Sequence, residues 1–109
     1  MVFGGELGME FVKVASAADL KPNEMKAVNA NGKPVLLANL EGNYYAIGNK
    51  CMHMGCTLTN GKLKGEIVEC PCHGSQYDVK TGAVVRGPAL KPEPKYEVKV
   101  ENGQVMVNA

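Results

Sequence analysis

Apolar and polar positions alternate along much of this chain with a period of two, the mark of strands that bury one face. Residues 10–14 read as a first strand. A short polar turn or helical turn through Ser16-Ala17-Ala18-Asp19-Leu20 follows, and Lys21-Pro22-Asn23 breaks any longer helix. Residues 25–29 and 35–40 are predicted strands joined through Asn31-Gly32, a hairpin signal because both residues tolerate positive φ. Glu41-Gly42 turns the chain into a strand over 43–47, where Tyr44, Tyr45 and Ile47 suit a pleated surface. Further on, one short strand is expected at 66–69, and 76–79 pairs with 83–86 around Thr81-Gly82. Residues 87–94, with Pro88, Pro92 and Pro94, form a rigid connection that cannot pair inside a sheet. Strands at 96–100 and 104–107 close the chain around Asn102-Gly103, a second hairpin signal. No long segment carries the helical period.

These elements predict an all-β fold, an antiparallel sandwich or barrel. At 109 residues the chain is expected to form one domain, with a loop-rich lobe at about 48–90 set into a β base made by 1–47 and 91–109. Twelve basic residues against eleven acidic ones give a net charge of +1, and the lysines are scattered along the sequence. A nucleic-acid partner is excluded, because it needs a basic stripe or stacking aromatics, and the chain has no Trp and two Phe. The first eight residues have neither a basic start nor a long apolar run, so neither a secretion signal nor a membrane segment is expected. The expected location is cytoplasmic.

The chemistry sits in the middle. All four cysteines and both histidines fall in Cys51-Met52-His53-Met54-Gly55-Cys56 and Cys70-Pro71-Cys72-His73-Gly74-Ser75. Two histidines that both stand beside cysteines in two matched loops point to a metal. Taking Cys51, His53, Cys70 and His73 as ligands gives C-x-H-x16-C-x-x-H, with one thiolate and one imidazole per loop. A structural zinc accepts two sulfurs and two nitrogens, but zinc fingers keep like ligands together and here the types alternate. An iron–sulfur centre explains the mixture: in a [2Fe–2S] cluster, two imidazoles replacing two thiolates on one iron raise the reduction potential. Two ferric ions and two sulfides carry a double positive charge that two thiolates cancel, and an electron enters a neutral cluster more easily than an anionic one.

The two loops, with Cys70-Pro71-Cys72-His73-Gly74-Ser75-Gln76-Tyr77-Asp78 read in full, closely resemble those of the Rieske family, and Gly87-Pro88-Ala89 resembles its proline loop. The resemblance is most specific over 51–89 and runs the length of the chain in strand order. It implies that Cys51 and Cys70 bind one iron of a [2Fe–2S] cluster, and that His53 and His73 bind the exposed iron through Nδ1. It implies a disulfide between Cys56 and Cys72, as in the quinol-oxidising branch. Closing that loop of about 17 residues would contribute about 3 kcal/mol, although cytosolic disulfides are unusual outside hyperthermophiles. It further implies that Ser75 donates to a bridging sulfide and Tyr77 to a ligand sulfur, both raising the potential, and that Gly87, Pro88 and Ala89 cover the cluster. Met52 and Met54 read equally as docking contacts or loop packing. Lys62, Lys64, Lys91 and Lys95 read as a solvated surface before a docking face.

The function that follows is one-electron transfer through the exposed histidine edge, by a carrier and not an enzyme. No nucleophile–base pair, second metal or flavin motif is present. The expected partners are redox proteins: a reductase, an oxygenase, or a component of a cytochrome or quinol chain. Small size without an anchor resembles the ferredoxins that feed ring-hydroxylating oxygenases. The extra cysteine pair with Ser75 and Tyr77 resembles the high-potential branch, whose members are longer and anchored. A redox sensor and a zinc-stabilised interaction module are the readings from other classes. Colour on purification separates the zinc reading, and redox-dependent partner binding the sensor.

Overall fold

The computed structural model describes residues 11–51, 55–72, 74–87 and 89–109. The expectations placed on residues 1–10, Met52, His53, Met54, His73 and Pro88 lie outside the described residues. The described chain is all-β, with ten strands: β1 Phe11–Ser16, β2 Glu24–Ala30, β3 Lys33–Leu40, β4 Asn43–Gly48, β5 Lys62–Lys64, β6 Ile67–Glu69, β7 Gln76–Asp78, β8 Val84–Arg86, β9 Lys95–Glu101 and β10 Gln104–Asn108. Two short 3-10 turns, Ala17–Asp19 and Leu58–Asn60, are the described helical segments. Six strands pair antiparallel in the order β1-β10-β9-β4-β3-β2, and the other four in the order β5-β6-β7-β8. The large sheet curls until its edge strands β1 and β2 approach each other, which makes it nearly a barrel.

The turn residues behave as their chemistry requires. Asn31 and Gly32 take φ of 53° and 80°, and Asn102 and Gly103 take 52° and 74°, the left-handed pairs that tight hairpins need. One expectation is corrected. A single strand was expected between the two cysteine loops, but two lie there, β5 and β6, paired Lys62↔Glu69, Leu63↔Val68 and Lys64↔Ile67. Lys62-Leu63-Lys64 offers one apolar side chain, too few to announce a strand; its pairing with β6 holds it.

The core divides in two, and β3 is the wall between its halves. Val35 and Leu37 pack with Ala15, Leu20, Ala30, Ala46, Val105 and Val107. Leu36, Ala38 and Leu40, on the opposite face of the pleat, pack with Ile47, Leu58, Val68, Tyr77, Val79 and Ala89. A strand buried on both faces reads as a continuous apolar run, and Val35-Leu36-Leu37-Ala38 is one. Asn39 interrupts the run and is buried, yet it is satisfied. Its Nδ2 donates to the Leu20 carbonyl at 2.9 Å, and its Oδ1 accepts from the Gly42 N–H at 2.8 Å.

The rigid connection after β8 straps the small sheet to the large one. The Glu93 N–H donates to the Gly82 carbonyl at 2.8 Å, and the Gly48 N–H donates to the Pro94 carbonyl at 2.9 Å. Gly82 stands at φ +82°, and a Cβ there would overlap the Glu93 carbonyl oxygen. Gly82→Ala is therefore expected to destabilise the fold by more than about 1 kcal/mol, since Ala is strained at positive φ and the strap must move. A denaturant midpoint equal to that of the wild type would show that the strap yields freely.

Candidate metal centre

The two cysteine loops are built alike. In the first, the Cys51 N–H donates to the Cys56 carbonyl at 2.7 Å, and the Gly55 N–H donates to the Cys51 carbonyl at 2.7 Å. In the second, the Cys70 N–H donates to the Ser75 carbonyl at 2.7 Å, and the Gly74 N–H donates to the Cys70 carbonyl at 3.2 Å. Each loop thus closes over six residues through the same pair of bonds. Gly55 at φ +75° and Gly74 at φ +79° supply the left-handed turn that closure demands. Asn49 sets the root of the first loop. It is buried, its Nδ2 donates to Thr59 Oγ1 at 3.1 Å, and its Oδ1 accepts from the Thr59 N–H at 3.0 Å. Nothing in the motif announces Asn49; a polar residue at the end of an apolar strand was the available signal.

Cys51 and Cys70 are 3% and 2% exposed and belong to the core half that contains Leu36, Leu58 and Tyr77. They lie outside the disulfide. The structure bonds Cys56 to Cys72, with their Cα atoms 6.5 Å apart, and so ties one loop to the other. The sulfurs of Cys56, Cys70 and Cys72 lie within 4.8 Å of one another, so the bridge runs beside Cys70. Cys56 is half-buried and Cys72 exposed.

Tyr77 and Ser75 are both fully buried. Tyr77 Oη stands 3.6 Å from Cys51 Sγ, within hydrogen-bond range for sulfur. With Cys51 as a thiolate, which only accepts, the phenol donates. Ser75 Oγ accepts from the Ala89 N–H at 3.0 Å, which ties the 87–89 loop to the second cysteine loop. Its hydroxyl hydrogen remains available to a further acceptor. Ala89 is buried in the core, while Gly87 and Leu90 on either side are exposed. Two buried sulfurs, one of them faced by a phenol, in loops joined by a disulfide, fit a group with anionic sulfur at its edge. His53 and His73 are outside the described residues.

The sequence profile of the Rieske [2Fe-2S] domain matches residues 10–101. The chain is 35% identical over 97 residues to the ferredoxin component of the naphthalene 1,2-dioxygenase/salicylate 5-hydroxylase systems of a Ralstonia species, a match that covers 89% of this chain and 93% of that protein. Among solved structures it is similar to the ferredoxin of carbazole 1,9a-dioxygenase from Nocardioides aromaticivorans IC177, with a TM-score of 0.86 and 33% identity over 89% of this chain and 95% of that one. It is also similar to a plasma-membrane Rieske protein of the cyanobacterium Synechocystis PCC 6803, with a TM-score of 0.75 and 32% identity over 90% and 99%. The chain belongs to the Rieske [2Fe–2S] family, and the cofactor of this class is a [2Fe–2S] cluster. Within the family it matches ferredoxin components of dioxygenase systems, which are electron carriers and not catalysts.

Proposed function

We propose that this protein is the ferredoxin component of a ring-hydroxylating dioxygenase system, carrying single electrons from a reductase to an oxygenase. The observation that carries the reading is the extent of the match, which covers 93% of a ferredoxin component of such systems. When bound, the cluster supplies one-electron storage. The residues proposed to hold it are Cys51 and Cys70 on one iron, and His53 and His73 on the other. Residues of about 48–90 act as the cluster lobe on a β base, and Gly87, Pro88 and Ala89 cover the cluster. His53→Ala or His73→Ala is expected to abolish the native cluster spectrum. A normal spectrum in either variant would remove that histidine from the ligand set. The dioxygenase role itself is tested by reconstitution with a reductase and oxygenase of a naphthalene 1,2-dioxygenase system. Turnover that requires this protein supports the role, and reduction of the protein without turnover contradicts it.

In this reading Tyr77 and Ser75 set the potential. A donor to cluster sulfur stabilises the reduced state more, because that state carries the extra negative charge. Removing it lowers the midpoint. Tyr77→Phe keeps the buried ring and loses only the hydroxyl, so the cluster should assemble and its midpoint fall. With 59 mV per tenfold for one electron, a differential of about 1 kcal/mol corresponds to roughly 40 mV. Voltammetry of the two proteins reads the difference, and an unchanged midpoint means that the phenol does not donate to the site.

Among the described residues, no helix is long and apolar enough to cross a membrane. The cytoplasm is proposed as the compartment, and there the exposed position of Cys72 leaves the Cys56–Cys72 bond open to thiol reductants. Trapping thiols by alkylation in intact cells tests the pairing. Recovery of Cys56 and Cys72 unmodified supports the bridge in that compartment, and labelling of both shows that it is absent there.

A further inference from the structure

The charged residues, scattered along the sequence, are sorted in space. Between Lys50 and Lys91 lie six cations and three carboxylates, whereas the rest of the chain holds six cations and eight carboxylates. Strand register divides the lobe's own charges again. One row across the small sheet, Lys62↔Glu69↔Gln76↔Arg86, is the rung next to the cysteine loops. Lys64, Glu66, Asp78 and Lys80 lie towards the opposite end, and there the signs cancel. Lys50 directly precedes Cys51, and its bridge to Thr57 closes the first loop. Lys91 follows the 87–89 loop, which Ala89 ties to Ser75. The cluster end therefore carries Lys50, Lys62, Arg86 and Lys91 against the carboxylates of Glu69 and of the buried Glu93, which lines a groove with Lys50.

All four cations are exposed. The ion pairs among the described residues lie elsewhere, Lys80 with Glu66 at the far end of the lobe and Lys99 with Glu101 on the base. Apolar surface sits among these cations: Leu90 is 91% exposed beside Lys91, and Val85 is 52% exposed beside Arg86. An excess of positive charge around exposed apolar side chains suits a protein face, where the cations steer the encounter and the apolar residues hold it. A nucleic acid would be met by the charge alone, and a membrane surface needs a broader apolar face than one exposed leucine and one half-exposed valine.

We infer that the cluster end is a cationic docking face for a redox partner with an acidic surface around its own electron-entry site, with Leu90 as the apolar contact and Lys50, Lys62, Arg86 and Lys91 around it. The inference rests on the electron-carrier reading and adds the partner's chemistry. A molecule whose net charge is only +1 thereby presents a strong local field where the electron leaves.

The test uses the cluster-loaded, reduced protein and two one-electron oxidants of opposite charge. Ferricyanide is anionic and tris(phenanthroline)cobalt(III) cationic; each takes one electron, returning the cluster to its all-ferric state. Between about 0.01 and about 1 M salt the screening length falls from roughly 30 to roughly 3 Å. Over that range the rate with ferricyanide should fall about tenfold or more, and the rate with the cobalt complex should rise. Arg86→Glu/Lys91→Glu should flatten or invert both dependences, while Lys13→Glu/Lys26→Glu, the same charge change on the base, should keep their sign. If the reversal disturbs folding, Arg86→Gln/Lys91→Gln should weaken both slopes in the same sense. A binding readout stands beside the kinetics: wild type is retained at low salt on immobilised flavodoxin, an acidic protein, and the Arg86/Lys91 variants are not. Leu90→Ser should reduce retention without changing either slope.

Flat slopes, or lobe and base variants that behave alike, overturn the docking face while leaving the carrier reading intact. Cosedimentation with phosphatidylglycerol vesicles without retention on flavodoxin assigns the face to a membrane and overturns the protein partner. A protein that forms no cluster and exchanges no electron with either oxidant removes the carrier reading and the docking face with it.

Discussion

Cys70→Ala is expected to yield a colourless protein without iron or sulfide. The second loop is held by backbone bonds, Cys70 N–H to the Ser75 carbonyl and Gly74 N–H to the Cys70 carbonyl, and alanine keeps both. The substitution therefore removes the thiolate and leaves the loop. No neighbouring sulfur replaces it, because Cys56 and Cys72 are bonded to each other. Cys51→Ala acts in the same way in the first loop and also deprives Tyr77 Oη of its sulfur partner. The effect is all-or-none, since a cluster missing one of two thiolates loses both a bond and the charge that neutralises its core. Iron and sulfide analysis with visible absorption reads it. A red-brown protein with the wild-type spectrum from either variant would contradict the ligand assignment.

The second large effect is on stability. Cys56→Ser/Cys72→Ser opens a loop of about 17 residues, and the chain-entropy estimate for that closure is about 3 kcal/mol. For a domain of this size, about 1 kcal/mol moves the melting temperature by roughly 4–8 °C, so a drop of roughly 12–24 °C is expected. The loss falls where function is most sensitive, because this bond joins the two loops proposed to carry the ligands. Cluster lifetime in air should shorten with it. Thermal unfolding of the cluster-loaded proteins, followed by circular dichroism and by cluster absorption, measures both. Equal melting temperatures would mean that the small sheet and the Ser75–Ala89 link hold the loops without the bridge.

What the sequence reveals, and what it withholds, follows the range of the interactions. Asn31-Gly32 and Asn102-Gly103 announce their hairpins because positive φ is a property of the residues themselves. The period-two strands and the all-β class are local in the same sense, and the ligand motif is legible because metal chemistry restricts which residues serve. β5 escapes notice, since Lys-Leu-Lys becomes a strand only beside β6. Val35-Leu36-Leu37-Ala38 reads as a strand, but nothing in it tells that opposite faces close different halves of the core. Asn49, the Glu93–Gly82 strap and the Ser75–Ala89 link join residues 10 to 14 positions apart, across turns whose path the fold decides. Charge is the plainest case. Lysines that look dispersed in the sequence form a row only after Lys62, Glu69, Gln76 and Arg86 are set in register.

The central claim is that this chain carries one electron on a cluster held by two thiolates and two imidazoles. The most direct measurement is Mössbauer spectroscopy of the iron-57-enriched protein, oxidised and then reduced by one electron. The account predicts two ferric sites of different ligand field in the oxidised state. On reduction, one site alone becomes ferrous, with the shift expected of nitrogen ligation. Two equivalent sulfur-ligated sites, or a protein holding zinc with no reducible iron, would contradict it.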